Sequence, residues 1–326
     1  MEIIDADDGG GVEAWIARLR HLAPDLVVTG TSYHADFSRC LWLAARTVAV
    51  RTVAVLDAWI NLGERWRFAD GRTSQPDALC VIDETIRQEA REVHGFSGTV
   101  HVVGQPHLEA VVARVAVRRA GRTPSSRPLL IFFSEPTAEF HTGPEYPGYD
   151  QFTSLDAFFA ALPPGVGMEL LVRPHPKEGP EVTERYRKRL GAWIEGRLTN
   201  EDPEALLAMA DGVIGMTTMV LIEAALLGIP ALSLQLDRTR IVNPAVDRLP
   251  GIATVTEATR LPECLRSFLA RVTSSAPAGE PIPAGGLAMP GNAGDRLMRA
   301  LKEEMAGVSR GPQCRPVMLV APPGAC

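Results

Sequence analysis

The chain has 326 residues, 46% of them apolar and 22% charged, with a formal net charge of −6. That balance suits a globular chain with two cores and excludes a disordered one, and it lacks the basic footprint of a nucleic-acid binder. Cys40, Cys80, Cys264, Cys314 and Cys326 form no Cys-x-x-Cys pair, so reduced thiols and no structural zinc are expected. No signal peptide opens the sequence and no apolar run approaches the roughly 18 residues of a membrane span, so the expectation is a soluble cytoplasmic protein with no transmembrane segment.

Short apolar runs alternate with longer amphipathic ones from the start. Strands are expected at Glu2–Asp5, Asp25–Gly30, Val53–Asp57, Ala78–Ile82 and Val100–Gly104. Helices are expected between them, over Gly11–Leu22, Asp36–Arg46, Glu84–His94 and Pro106–Arg118. Such alternation implies parallel strands with crossover helices. Within this set Arg46–Val50 and Arg51–Val55 are the same pentapeptide, Arg-Thr-Val-Ala-Val, in tandem. A repeat this short does not make a solenoid. It reads as a local duplication at a helix–strand junction and leaves the strand register open by up to five residues. Gly104-Gln105-Pro106-His107 reads as a structural turn, and Arg119–Arg127, with Gly121, Pro124 and two serines, as an interdomain linker.

A second alternating set follows, with strands at Leu129–Ser134, Glu169–Arg173, Gly212–Gly215, Ala231–Leu234 and, more weakly, Ile252–Val255. Helices are expected over Ser154–Leu162, Glu181–Trp193, Pro203–Met209, Thr218–Leu227, Glu257–Val272 and Ala293–Met305. The reading is α/β, with two Rossmann-like domains whose parallel sheets face a cleft. Residues 1–120 would form the first domain, 121–307 the second, and 308–326 a flexible tail rich in proline.

The chemistry concentrates where apolar strands end in polar clusters. Leu170–Val172 runs into Arg173-Pro174-His175-Pro176-Lys177, and two prolines stiffen a loop carrying a guanidinium and an imidazole suited to phosphate oxygens. Gly215-Met216-Thr217-Thr218 opens a helix, where a threonine can cap and leave N–H groups for an anion. Glu223 follows in that helix among apolar residues, and a carboxylate there needs a partner such as the hydroxyls of a ribose. Ser134 leaves the first strand of the second half toward the same sheet edge and is a further candidate contact. The long Gly- and Pro-rich stretch after it reads as a functional insertion. In the first half, Asp57 ends a strand beside Trp59, an aromatic suited to stacking on a sugar. His34 lies in the polar run Thr31–Asp36. Either could be a general base. No metal-ligand spacing, Walker A loop or Gly-x-Ser-x-Gly elbow is present.

These motifs resemble the donor domain of GT-B-fold sugar-nucleotide enzymes, chiefly bacterial polysaccharide-type glycosyltransferases. They are also similar to UDP-GlcNAc 2-epimerases and CDP-glycerol glycerophosphotransferases. The likeness rests on Arg173-Pro174-His175-Pro176, then Ala210-Asp211, Thr217-Thr218, Glu223-Ala224 and Gly228-Ile229-Pro230. It implies that His175, Thr217 and Thr218 contact the phosphates of a nucleotide-sugar donor and that Glu223 binds its ribose. Arg173 at the same strand end would join them on the diphosphate, and Ser134 is a candidate contact to phosphate or sugar. Asp57 or His34 would activate an acceptor across the cleft. On this resemblance the expected activity is metal-independent glycosyl transfer with no cofactor beyond the nucleotide-sugar substrate. The alternatives are a 2-epimerase of the same fold and a non-catalytic binding subunit.

Overall fold

The structure is a computed structural model, and it describes residues 2–5, 11–31, 36–122, 127–190, 196–273, 292–307 and 316–320. It separates into two compact units, Met1–Pro106 with Ala288–Cys326, and His107–Leu287.

The first unit contains β1 (Glu2–Asp5), α1 (Val12–Leu22), β2 (Leu26–Thr29), α2 (Phe37–Thr47), β3 (Arg51–Val55), β4 (Ala78–Val81), α3 (Glu84–Glu92) and β5 (Thr99–Val102). Helix α4 (Pro106–Arg119) leads into the second unit. There follow β6 (Leu129–Phe133), α5 (Thr137–Phe140), α6 (Gln151–Ala161), β7 (Glu169–Arg173), α7 (Pro180–Leu190), β8 (Gly196–Leu198) and α8 (Pro203–Met209). The second unit closes with β9 (Gly212–Gly215), α9 (Met219–Leu226), β10 (Ala231–Leu234), α10 (Pro244–Arg248), β11 (Ile252–Val255) and α11 (Leu261–Thr273). Helix α12 (Ala293–Ala306) and strand β12 (Pro316–Val320) belong to the first unit again.

Each unit carries a six-stranded parallel sheet, ordered β1-β12-β2-β3-β4-β5 in the first and β11-β10-β9-β6-β7-β8 in the second. Central strands such as Ala78–Val81, Gly212–Gly215 and Ala231–Leu234 are buried along their whole length. That is why they read as unbroken apolar runs rather than alternating ones: helices cover both faces. The α/β class and the two Rossmann-like halves expected from the sequence are therefore present.

The division of the chain differs from the expected one in three places. Helix α4 is held by the second unit: Arg114 pairs with Glu204, the Arg119 guanidinium donates to the carbonyls of Leu207 (2.6 Å) and Ala210 (2.8 Å), and Arg122 pairs with Asp211 (2.6 Å). The boundary thus falls at Pro106–His107, beside the Gly104 turn (φ 89°), and not at the Gly- and Ser-rich stretch after α4. Helix α12 returns to the first unit because Ala300 and Leu301 pack on Leu26, Val28, Val53 and Cys80. Glu304 fastens it further, accepting from Arg51 Nε (2.5 Å) and lying 2.7 Å from His101 Nε2. Finally, within 308–326, Pro316–Val320 is a strand paired with both β1 and β2, where a tail was expected.

Candidate functional site

In the second sheet the chain runs β6, β7, β8 in one direction and β9, β10, β11 in the other, so the strand order reverses between β6 and β9. Ligands of open α/β sheets bind at such a reversal, outside the carboxyl ends of the strands. The residues leaving those ends are Ser134 and Glu135 after β6, Pro174–Glu178 after β7, Thr199–Asp202 after β8, and Met216–Thr218 after β9.

At the reversal itself the occupant is a side chain of the protein. Glu135 Oε1 accepts the backbone N–H groups of Met216 (3.1 Å), Thr217 (2.7 Å) and Thr218 (2.9 Å), and Oε2 accepts the Thr217 hydroxyl (2.5 Å). These N–H groups lie in the turn that opens α9, ending at its N-cap Thr218, where negative charge is favoured. Burial pushes the Glu135 carboxyl group upward in pKa, against those four donors. Thr218 caps α9 through Val220 N, and the Asn243 side chain donates to Thr217 O (3.0 Å). Thr217 and Thr218 therefore stand at the turn expected of them, but their donors already serve Glu135. Nothing in the local sequence marks Glu135, since its role depends on β6 lying next to β9.

Ser134 belongs to a second polar cluster. Its hydroxyl donates to Glu178 Oε1 (2.7 Å) and meets the Tyr186 hydroxyl (2.5 Å). Gln151 Nε2 reaches the same Glu178 oxygen (3.1 Å) and Glu139 (2.6 Å). The other Glu178 oxygen accepts the backbone N–H of His175 (2.6 Å). Burial raises Glu178 in pKa while these donors oppose it. Glu178 was also unforeseen, although it sits only three residues past the histidine. Arg173 turns away from the loop, donating from Nε to Glu201 O (2.9 Å), so it anchors the segment after β8. His175 is half-buried, and burial followed by Lys177 and Arg173 lowers its pKa.

Glu223 presents the opposite case to Glu135. Its half-buried carboxyl group has no hydrogen bond or ion pair among the described residues. Burial, with the negative charge of Glu204 adding to it, pushes its pKa to about 7.

In the first unit Asp57 follows β3 and is half exposed, with Oδ1 held by Arg65 Nη1 at 2.8 Å. The same buried guanidinium donates to the Thr31 hydroxyl (2.5 Å) and to Ile60 O. Trp59 does not offer a stacking face: it is 2% exposed, with its indole N–H on Asp83 (2.7 Å), the residue that caps α3. His34 lies outside the described residues. Among the described residues no group of three or more His, Cys, Asp or Glu side chains is gathered as a metal site, and no helix is long and apolar enough to cross a membrane.

No protein-family model and no curated protein sequence matches the chain, whereas its fold matches solved structures. It is similar to a candidate UDP-N-acetylglucosamine 2-epimerase from Listeria monocytogenes (TM-score 0.60, 16% identity, 94% of this chain and 84% of that one). It is also similar to the UDP-GlcNAc 2-epimerase from Neisseria meningitidis bound to UDP-GlcNAc (TM-score 0.58, 13% identity, 90% and 80%). A third match is the sucrose-phosphate synthase from Thermosynechococcus elongatus (TM-score 0.55, 13% identity, 91% and 78%). These are GT-B-fold enzymes, and the chain has the GT-B fold.

Proposed function

We propose that the chain is a glycosyltransferase that binds a nucleotide-activated sugar in its second unit and passes the glycosyl group to an acceptor, without a metal ion. The observation that carries this reading is Glu223, a half-buried carboxyl group with no protein partner among the described residues. Two hydroxyl donors of a ribose would offset the cost of desolvating it. The neighbouring strand ends supply the rest. His175 faces the donor's phosphates. Thr217 and Thr218 join it once a phosphate oxygen takes the place of the Glu135 carboxylate at their N–H groups. Arg173 and Ser134 act at one remove, through the Glu201 loop and through Glu178. Fixed N–H dipoles at the start of α9 would stabilise the departing diphosphate, which is what replaces a metal in this reading. Asp57, or His34, would take the acceptor's proton.

A thermal-shift panel of UDP, CDP, GDP, dTDP, CMP and their sugar conjugates tests the reading, with UDP and UDP-GlcNAc as the first probes. A ligand at a hundredfold its dissociation constant stabilises by about 2.7 kcal/mol. A shift of the midpoint that Glu223→Ala removes is the expected result. No shift with any of the panel would overturn the reading. Activity abolished by a chelator and restored by Mg²⁺ or Mn²⁺ would overturn its metal-free part.

A second reading, a sugar-nucleotide 2-epimerase, is favoured by the Arg65–Asp57 pair, which engages one oxygen of the expected base. An epimerase uses the donor site and needs no acceptor. Product analysis separates the two: free nucleotide with a new glycoside, or an isomerised sugar.

A further inference from the structure

We propose that His175 is held as the neutral tautomer with its proton on Nε2, so that it serves the ligand as a fixed hydrogen-bond donor and not as an acid or base, with Glu178 as the residue that positions it. His175 Nδ1 accepts the backbone N–H of Lys177 at 3.1 Å, so Nδ1 carries no proton and the neutral ring must carry it on Nε2. A second proton on Nδ1 would set two N–H donors against each other. The cations that act on the ring, Lys177 in the same loop and Arg173 at the end of β7, also oppose a positive imidazole, as does its partial burial.

The loop that imposes this geometry is itself pinned. Pro174 and Pro176 flank the histidine, and Glu178 N donates to His175 O (2.9 Å). The carboxylate of Glu178 does not bond the imidazole. One oxygen takes the backbone N–H of His175, and the other is fixed by Ser134, Tyr186 and Gln151 from β6, α7 and α6. Three elements of the core thereby set the orientation of one imidazole. A ring so held leaves the Nε2–H as its one polar atom without a hydrogen bond among the described residues. Its partner must be a hydrogen-bond acceptor, which on the reading above is a phosphate oxygen of the donor.

Long-range proton–nitrogen spectra of the ¹⁵N-labelled chain between pH 5 and 8 test the tautomer, with His175 assigned by its loss in His175→Gln. The expected result is an Nε2-protonated ring that titrates below the ordinary histidine value. Glu178→Ala should let both tautomers appear, and Glu178→Gln, which keeps an acceptor for the His175 N–H, should restore the single one. A ring protonated on Nδ1, or titrating at or above its ordinary value, overturns the proposal. So does an unchanged tautomer in folded Glu178→Ala, as far as Glu178 is concerned. With whichever nucleotide shifts the midpoint, His175→Gln should bind within about threefold of wild type and His175→Ala at least tenfold more weakly. Equal loss in both would overturn the donor role. A panel in which no nucleotide shifts the midpoint falls on the sugar-nucleotide reading and leaves the tautomer result intact.

Discussion

Two glutamates meet the same short helix in opposite states. Glu135 comes from the end of β6 and places its carboxylate on three N–H groups and a hydroxyl at the start of α9. Glu223 lies on α9 itself, also half-buried, and no donor among the described residues reaches it. Both pKa values are raised by burial, but only Glu135 has donors to oppose the shift. A satisfied carboxylate holds the turn together, whereas an unsatisfied one costs stability.

The largest expected effect breaks the satisfied member. Glu135→Ala strands the N–H groups of Met216, Thr217 and Thr218 and the Thr217 hydroxyl, and should destabilise by about 2–4 kcal/mol in urea denaturation. Glu135→Gln, which keeps an acceptor, should lose less.

Removing the charge of the unsatisfied member should do the reverse. Glu223 has an ordinary value of 4.5 and a folded value of about 7, so its favourable contribution is full below pH 4.5 and is lost as pH rises through 7. Glu223→Gln should therefore leave stability unchanged near pH 4, gain progressively from pH 4.5 to 7, and level off above that. The gain should be at most about 3 kcal/mol. A flat difference across that range in a pH series of denaturation curves would show that the carboxyl group finds a partner after all.

Smaller substitutions sharpen the comparison around Glu135. Thr217→Val keeps the shape and removes one of its four donors, with an expected cost of about 1–2 kcal/mol. Thr218→Ala removes only the cap on Val220 N and should cost about 1 kcal/mol. A cost near zero for Thr217→Val, measured by the same denaturation series, would mean that the hydroxyl bond to Glu135 adds nothing.

Much of this edge was legible in the sequence and part was not, and the division follows the range of the interactions. The apolar strands, the stiff Arg-Pro-His-Pro loop, the Thr-capped start of α9 and the misplaced carboxylate of Glu223 are local patterns, readable from residue type and spacing. Glu135 was not readable, because its partners lie more than 80 residues away across a strand pairing that spacing does not announce. Ser134 and Arg173 stand at the expected edge, where they bond Glu178 and the Glu201 carbonyl, partners that spacing does not announce. Trp59 was placed beside Asp57 correctly in sequence, yet its ring went into the core.

The duplicated pentapeptide shows the same boundary most plainly. In its first copy Arg46 and Thr47 end α2, Thr47 bonds back to Leu43 O, and Ala49 turns the chain at a φ of 57°. In its second copy Arg51–Val55 is a central strand, with Val53 between Val28 and Ala78, Thr52 on Asp77 and Arg51 on Glu304. Residue types determined by themselves that strands and helices alternate, that both sheets are buried on two faces, and that polar clusters gather at strand ends. Identical residues cannot choose between helix end and strand by propensity. Only the tertiary structure chose, because β2, β4, Asp77 and α12 give the second copy its ladder and side-chain partners, while the first copy closes α2.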